Sequence, residues 1–268
     1  MRLGDLEITA VSDGSFLARP SYFGTDVAPD AHPEMFSRNG TATLPIGCFL
    51  IRGSRDGRVL LVDAGLGPQS KPMPDGMHLA GGRLLTGLAA AGLTPADITD
   101  VVCTHLHSDH VGWLFDDRAA AVFPGAALWF GAGDWDHFVI GPGEMAQHIR
   151  GGFLANSSRL RPIDADTPIA PGIRGVPAPG HTPGHLCVVV KSGENSAWLV
   201  GDAITCPVQL TEPTWHSFGD TTPNLAELTR QRLWDQLGRP STVGTGAHFP
   251  HLRFGRVRGD AERRQWMI

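Results

Sequence analysis

Several residue types that often carry function are scarce in this chain of 268 residues. Lys71 and Lys191 are the only lysines, and 22 lysines and arginines against 27 acidic side chains give a formal net charge of −5. Such a chain lacks the basic stripe that phosphate backbones require. The composition therefore argues against a nucleic-acid partner.

Cysteine and long apolar runs are scarce as well. The cysteines stand far apart and form no C-x-x-C pair, at Cys48, Cys103, Cys187 and Cys206. This spacing argues against a disulfide framework and against a thiolate zinc site. No uninterrupted apolar run reaches the length of a membrane span, and Asp5 and Glu7 interrupt the first residues, unlike a secretion signal. We expect a soluble protein of the reducing cytoplasm, with no membrane partner.

Short apolar runs bounded by Gly, Pro and Asp predict many brief strands. They cover residues 6–11, 48–51, 59–62, 99–103, 127–130, 186–190 and 197–200. Helical patterns predict helices over 82–91 and 223–237, the second with Thr222 as its cap. Residues 14–47 and 203–221 lack such periodicity, which predicts loops over a pocket. Length and composition favour one mixed α/β domain over 1–268.

Histidine and glycine are abundant, with 12 and 34 residues, and several histidines cluster. A predicted strand runs into His105, His107, Asp109 and His110. Because alternate side chains of an extended chain share a face, His105 and His107 can converge on one ion. The turn that follows directs Asp109 and His110 to a second ion. Imidazole and carboxylate ligands suit zinc and neighbouring first-row metals.

Three further candidate ligands follow at the ends of apolar runs or in glycine-rich turns. They are His181 in G-H-T-P-G-H, Asp202 in V-G-D and His248 in T-G-A-H. Each of them alone is more often a cap or a hydrogen-bonded core group than a ligand. Their joint order after the histidine cluster reverses that judgement. The sequence therefore predicts a site for two divalent ions.

The H-x-H-x-D-H run, the G-H-T-P-G-H run, the late G-D and the late G-A-H resemble the metallo-β-lactamase superfamily over residues 59–250. The resemblance implies a four-layer αβ/βα sandwich. It also implies one ion on His105, His107 and His181, the other on Asp109, His110 and His248, and Asp202 bridging both. Asp63, in L-V-D-A-G, matches the superfamily's early aspartate, which orients a ligand histidine through its other ring nitrogen.

The reaction follows from that arrangement. A hydroxide held between two ions attacks a carbonyl or phosphoryl centre, and the ions stabilise the developing charge. The resemblance gives Asp109 a catalytic role as well, that of moving a proton to the leaving group. Zinc is the expected metal, with manganese, cobalt and iron as alternatives. The predicted protein is therefore a dinuclear metal-dependent hydrolase.

Two branches of the superfamily are closest, the acyl-homoserine lactonases and the methyl-parathion-hydrolase-like group. The first branch uses a tyrosine near the metals, whereas the sole tyrosine here, Tyr22, lies in an early loop. Trp113, Trp215, Phe218 and Val208 are candidates for an apolar pocket wall, which favours small uncharged esters or lactones as substrates.

Other functions stay open at this point. Phosphotriesterase or β-lactamase activity are alternatives within the same chemistry, and a metal-containing binding or sensor protein without turnover is an alternative of another class. The intact set of candidate ligands speaks against the last of these. Apolar loop segments are compatible with a homodimer.

Overall fold

The computed structural model of the chain describes residues 1–259 and 264–268. Its strands are β1 (Arg2–Leu3), β2 (Leu6–Ala18), β3 (Ala42–Arg52), β4 (Leu60–Val62), β5 (Ser70–Pro72), β6 (His78–Ala80), β7 (Asp100–Val102), β8 (Ala127–Gly131), β9 (Leu160–Ile163), β10 (Thr167–Ala170), β11 (Ile173–Pro177), β12 (Leu186–Ser192), β13 (Asn195–Leu199), β14 (Thr242–Thr245), β15 (Arg256–Arg258) and β16 (Gln265–Met267). Its helices are α1 (Leu84–Ala90), α2 (Ser108–Val111), α3 (Ala132–Asp134), α4 (Gln147–Ala155) and α5 (Pro223–Leu237). Among these helices none combines the length and apolar character that crossing a membrane requires.

Most strands belong to two sheets that pack face to face. The first has the order β5-β6-β2-β3-β4-β7-β8-β9, with β1 paired to β2. Within it, β4, β7, β8 and β9 are parallel neighbours. The second sheet has the order β10-β11-β12-β13-β14, in which β13 and β14 are parallel. Parallel strands bring their carboxyl ends to one edge of a sheet, and the histidine cluster begins at this edge of the first sheet.

Strand β3 shows how the first sheet separates two parts of the core. Phe49 and Ile51 are buried between the sheets together with Val188 of β12. Cys48 and Leu50 belong instead to the core on the outer face of the first sheet. Successive side chains of a strand point to opposite faces, so a strand that is covered on both faces is continuously apolar.

Helices cover the outer faces of both sheets. Leu84 and Leu88 of α1 pack on the first sheet, and Leu233 and Leu237 of α5 pack on the second, near Val200. The layers therefore follow the order helix, sheet, sheet, helix. The predicted mixed α/β class and the four-layer αβ/βα sandwich are confirmed.

The structure corrects two local predictions. Residues 14–47 are not one loop, because β2 continues to Ala18 and β3 begins at Ala42. A β-bulge between Ser12 and Gly14 interrupts the alternation of buried and exposed residues, which hides the strand in the sequence. Thr222 does precede α5, but its side chain makes no capping hydrogen bond.

The bulge turns Asp13 into the core. Its carboxylate accepts backbone hydrogen bonds from Leu66 and Gly67 after β4 and from three residues at the start of α1. It also accepts one from Nε1 of Trp113 at 2.8 Å. Trp113 packs against the core on the helix side and is not among the residues that line the cavity described below, so the expectation for this tryptophan is wrong.

Candidate metal centre

The histidine cluster lies where the chain leaves the first sheet. Val102 ends β7, a short loop follows, and His107 is the residue that precedes α2. The ring centroids of His105 and His107 lie 4.7 Å apart, whereas Asp109 and His110 belong to α2 itself. The predicted convergence of the alternate histidines is therefore observed. The His110 ring also lies close to them, with its centroid 3.9 Å from that of His105, and His105, His110 and Asp202 form a further group of candidate ligands.

A first group of three nitrogen donors joins the cluster to the loop after β11. His105, His107 and His181 each offer a ring nitrogen, and these atoms all lie within 4.8 Å of one another. His107 Nδ1 and His181 Nε2 are 3.0 Å apart. We call this set the first triad; it is the set that the resemblance assigns to one ion.

A second group joins the cluster to the loop after β14. Asp109, His110 and His248 offer ligand atoms that also lie within 4.8 Å of one another. His248 Nε2 lies 3.4 Å from Asp109 Oδ2, and His110 Nε2 lies 3.8 Å from the same oxygen. We call this set the second triad.

Asp202, which follows β13, lies between the two triads. Its Oδ1 is 3.5 Å from His110 Nε2, and its Oδ2 is 3.8 Å from His181 Nε2. The same Oδ2 lies 3.2 Å from His248 Nε2. The structure thus brings all of the predicted ligands together, and it places the carboxylate predicted to bridge where both triads are in reach.

Outer hydrogen bonds orient most of these histidines. A bond at Nδ1 leaves Nε2 as the ring nitrogen available to the centre. The partners are the Thr104 hydroxyl for His105 at 3.2 Å, the Asp63 carboxylate for His110 at 3.0 Å, the Asp220 carboxylate for His181 at 2.8 Å and the Pro45 carbonyl for His248 at 2.7 Å. The predicted contact between Asp63 and a histidine of the cluster is observed.

Asp220 is the functional candidate that sequence reasoning missed. It lies in the segment 203–221, which was predicted only as a loop, and no motif or spacing marks it. Its side chain is 1% exposed. The lack of periodicity in that segment does not select one residue.

Asp134 forms hydrogen bonds to both loops that carry the first triad. Its carboxylate accepts a hydrogen bond from Leu106 N at 3.0 Å, between the two early histidines. It also accepts bonds from Thr182 Oγ1 at 2.9 Å and Gly184 N at 2.6 Å, in the loop that carries His181. One buried side chain therefore bonds both the early and the late histidine loop.

His185 supports the bridging position. Its Nε2 accepts hydrogen bonds from the backbone N–H groups of Asp202 and Ala203, each at 3.1 Å. With Nε2 occupied as an acceptor, the ring is neutral and does not direct this atom to an ion.

The two triads differ in their charge without ions. Burial lowers the pKa of His107 to about 3 and lowers that of His105 well below its usual value. At His110, burial is outweighed by nearby carboxylates, first Asp63 and then Asp202, which raise the pKa to about 9. The first triad therefore has two neutral imidazoles, whereas the second contains an imidazolium.

The carboxylates of the centre are held ionised. Burial opposes the charge of Asp109, but His110 and His248 hold its pKa below the usual range. The same two histidines lower the pKa of Asp202 against the effect of burial. Ionised carboxylates and a neutral imidazole are the forms that bind metals.

The donors fit divalent ions. Within the described residues, three buried atoms of the centre have no hydrogen-bond partner: His105 Nε2, His110 Nε2 and Asp202 Oδ1. Buried polar atoms are normally paired, so a cluster of unpaired ones that face each other indicates a missing partner. Imidazole nitrogen and carboxylate oxygen are the ligands of zinc and related first-row ions.

A cavity of about 640 Å³ opens above the centre. His107, Asp109 and Asp202 form its polar floor. Apolar side chains form much of its wall: Phe16, Met73, Leu79, Leu106, Phe138, Met145, Ile149 and Phe218. The expectation for Phe218 is confirmed, whereas Trp215 and Val208 do not line the cavity; Trp215 packs its ring against Phe23.

Tyr22 also lines this cavity, contrary to what its early sequence position suggested. It ends the 3-10 turn Pro20–Tyr22, and its hydroxyl accepts a hydrogen bond from Ser217 Oγ at 2.7 Å. Burial and then the charge of Asp202 raise its pKa well above the usual value. The phenol is therefore protonated and keeps its own proton for donation.

One ion pair crosses the rim of the cavity. Lys71 Nζ lies 3.1 Å from Glu144 Oε1 and 3.5 Å from Ser108 Oγ, next to Asp109. Both charged side chains line the cavity, and that of Glu144 is 88% exposed. The pair joins β5 to the loop before α4.

Comparison with known proteins agrees with the fold. A family model described as the metallo-beta-lactamase superfamily matches residues 43–241. The chain belongs to this superfamily. It is 30% identical to human "Metallo-beta-lactamase domain-containing protein 1" over 68% of this chain and 59% of that protein. It is 24% identical to an "N-acyl homoserine lactonase" of a Bacillus species, over 59% of this chain and 62% of that protein.

Solved structures share the fold. The chain is similar to AidC, described as a dizinc quorum-quenching lactonase, with a TM-score of 0.84 and 22% identity over 100% of this chain and 95% of that one. At this identity the likeness is one of fold. The chain spans between 52% and 62% of the length of the curated relatives that it matches.

Proposed function

We propose that the protein is a hydrolase that binds two divalent ions and cleaves the ester or lactone bond of a small, largely apolar substrate. One observation carries the proposal: two triads of metal-binding side chains share Asp202 at the floor of a cavity with an apolar wall. Clefts with a few convergent polar groups and apolar walls are typical of small-molecule sites.

The first triad would hold one ion and the second triad the other, with Asp202 in reach of both. Zinc suits this nitrogen and oxygen set, as do manganese, cobalt and iron. Bound ions would supply an activated water and would polarise a carbonyl oxygen. The chain itself supplies the positions of these groups, through the outer hydrogen bonds of its histidines.

Two side chains of the cavity are suited to proton and hydrogen-bond steps. Asp109 is ionised, lines the cavity and can accept a proton and deliver it to the leaving alkoxide of a cleaved ester. Tyr22 accepts from Ser217, so its own proton is free to bond an oxygen of the substrate. Neither residue acts as a covalent nucleophile here.

The cavity wall indicates the substrate class. Its apolar side chains suit an acyl chain or another uncharged group, because burying apolar surface stabilises the complex. The Bacillus relative and the AidC structure both have names that specify a lactonase. These names support a cyclic ester, and an aryl ester offers the same carbonyl chemistry.

The proposal is tested by metal content and a substrate panel measured together. Purified protein is analysed by mass spectrometry for metals and assayed with lactones of different acyl length, aryl esters, phosphotriesters and a β-lactam. We expect two ions per chain, the highest kcat/KM on a lactone or ester, and loss of activity with a chelator that zinc restores.

Other outcomes of that panel would contradict the proposal. Highest turnover on phosphotriesters or on the β-lactam would reject the carbonyl-ester substrate. Two bound ions without turnover on any class would favour a binding or sensor protein. Fewer than two ions in fully active protein would reject the dinuclear site.

A further inference from the structure

Asp220 stands outside the predicted ligand set, yet it is buried against one of its histidines. We propose that Asp220 is a positioning residue for the first triad: it holds His181 in the tautomer and orientation that direct Nε2 to an ion. This inference rests on the proposed two-ion function. It assigns a role to the segment between Trp215 and Thr221, which neither the motifs nor the family match singled out.

The contact with His181 is direct. Asp220 Oδ1 lies 2.8 Å from His181 Nδ1, and both side chains are 1% exposed. A carboxylate oxygen at this distance is suited to accept a hydrogen bond from Nδ1–H, which leaves Nε2 as the free lone pair. That nitrogen lies 3.0 Å from His107 Nδ1, within the first triad. The hydrogen bond therefore sets the form of His181 that binds a metal.

The other oxygen of Asp220 is held from two sides. Oδ2 accepts a hydrogen bond from Ser217 N at 3.0 Å, and Arg230 Nη2 lies 3.4 Å away. Arg230, on α5, is itself buried and donates to Trp215 O at 3.1 Å. A buried carboxylate is costly unless it is paired. Its charge is compensated here, and its position is tied to a packed helix.

The backbone next to Asp220 lies against the ligand rings. A Cβ atom added to Gly219 would be 3.0 Å from His181 Cε1 and 3.1 Å from His107 Cε1. Beyond His181 Nδ1, the segment also bonds the loop that carries this histidine, since Thr221 N donates to His181 O at 2.9 Å. Phe218 of the same segment lines the cavity. The positioning contact and the pocket wall thus belong to one short stretch of chain.

The second triad has a matching contact, which makes the proposal specific. Asp63 Oδ2 lies 3.0 Å from His110 Nδ1, as Asp220 lies beside His181. Each carboxylate directly contacts one histidine of one triad, but Asp63 also accepts from Thr104 Oγ1, which lies 3.2 Å from His105 Nδ1. If both carboxylates act by positioning, loss of Asp220 weakens the ion of the first triad alone, whereas loss of Asp63 weakens chiefly the ion of the second.

The test compares Asp220→Asn with Asp63→Asn and with Asp235→Asn, an exposed position on α5 that serves as the control. Metal-free proteins are titrated with Zn²⁺ against a chromophoric chelator, and ¹¹³Cd²⁺ spectra identify the triad that is affected. We expect Asp220→Asn to weaken one of the two ions by about tenfold or more. The cadmium resonance of the all-histidine first triad is expected to shift or vanish. Asp63→Asn is expected to alter chiefly the other resonance, since it reaches the first triad only through Thr104, and Asp235→Asn neither.

A second readout separates positioning from a merely structural role. Imidazole ¹⁵N shifts of the metal-free protein report the tautomer of His181, which is expected to be Nδ1–H in the wild type and mixed in Asp220→Asn. If that variant does not fold without metal, Arg230→Lys is measured instead and is expected to weaken the same ion by a smaller factor.

The outcomes are distinguishable from those of the proposed function. This inference alone is overturned if the wild type binds two ions and Asp220→Asn has the same metal affinity and the same His181 tautomer. Where Arg230→Lys replaces that variant, an unchanged metal affinity has the same meaning. Equal weakening of both ions, or an equal loss in Asp235→Asn, also overturns it. Wild type that does not bind two ions overturns the proposed function first.

Discussion

The early and late parts of the candidate metal centre are built in different ways. His105, His107, Asp109 and His110 lie within six residues, between the end of β7 and α2. His181, Asp202 and His248 each follow a different strand of the second sheet. Local backbone geometry places the early group, whereas the packing of one sheet on the other places the late group. The early group can therefore be recognised in the sequence as one motif, whereas the position of the late group depends on long-range contacts.

The supporting contacts follow the same division. Asp63 contacts the early His110 from the first sheet, and Asp220 contacts the late His181 from a loop before α5. Asp134 is the exception, because it bonds both the early and the late loop. Changes at these residues test whether the two parts act as one centre.

The largest effect is expected from the residue that both triads share. Asp202→Ala removes a carboxylate within 3.8 Å of histidines from both triads, so both ions should be lost or misplaced. Since metal assistance provides several kcal/mol, we expect activity to fall by about a thousandfold or more. Metal content and kcat/KM measure this. A variant that keeps two ions and most of its activity would show that Asp202 does not join the parts.

Asp134→Ala is expected to separate the two parts structurally. It leaves the backbone N–H groups of Leu106 and Gly184 without their partner in a buried place. Unpaired buried donors cost about 1–3 kcal/mol each, so we expect the free energy of unfolding to fall by about 3 kcal/mol. Urea denaturation of the metal-free proteins measures this, with Asp116→Ala in a surface turn as the control. An unchanged midpoint would mean that the loops hold each other without this link.

Substitution of Asp109 tests whether a residue of the early group does more than hold an ion. Asp109→Asn keeps the size of the side chain but removes its charge and its capacity to carry a proton. We expect turnover to fall by about a hundredfold, in keeping with general acid–base catalysis, with a smaller loss of metal. Parallel measurement of kcat and bound metal decides the matter. Equal losses of both would leave Asp109 as a ligand only.

The pH dependence of metal binding distinguishes the triads. His110 has a pKa raised to about 9, so below this pH it binds a proton that an ion must displace. His107 has a pKa lowered to about 3 and is already neutral. His248 of the second triad, like His110, has a raised pKa, so the affinity of that triad for Zn²⁺ is expected to fall by at least about tenfold for each pH unit below 9, with proton release. Calorimetry in buffers of different ionisation enthalpy measures the release. Two ions that depend equally on pH would contradict this difference.

The smallest effect is expected at the rim, outside both parts of the centre. Lys71→Met breaks the exposed pair with Glu144, and such pairs contribute about 0–1 kcal/mol. We expect a change in KM of about fivefold at most, which corresponds to that energy, and an unchanged metal content. The other lysine offers a control, because Lys191 is exposed and away from the cavity. A large loss of kcat in Lys71→Met alone would place this lysine in the catalytic machinery.

Much of this molecule follows from local patterns. The strands that lead to the ligands were predictable, since apolar runs such as that of β12 are covered on both faces. The candidate ligand positions were marked by their residue types and their order. Asp220, Asp134 and the place of Tyr22 were not predictable, because each depends on contacts between segments far apart in the chain. The β-bulge before Gly14 also hid part of β2, since it breaks the period of two.

The sequence by itself determined which side chains are available as ligands and that early and late ones belong together, because short motifs record local geometry and chemical type. The tertiary structure alone decided how those side chains face each other. Asp202 lies between the triads because β13 packs in the second sheet beside β14. Likewise, Tyr22 and Asp220 reach the centre because loops far apart in the chain fold towards it. No periodicity of the sequence predicts the course of such loops.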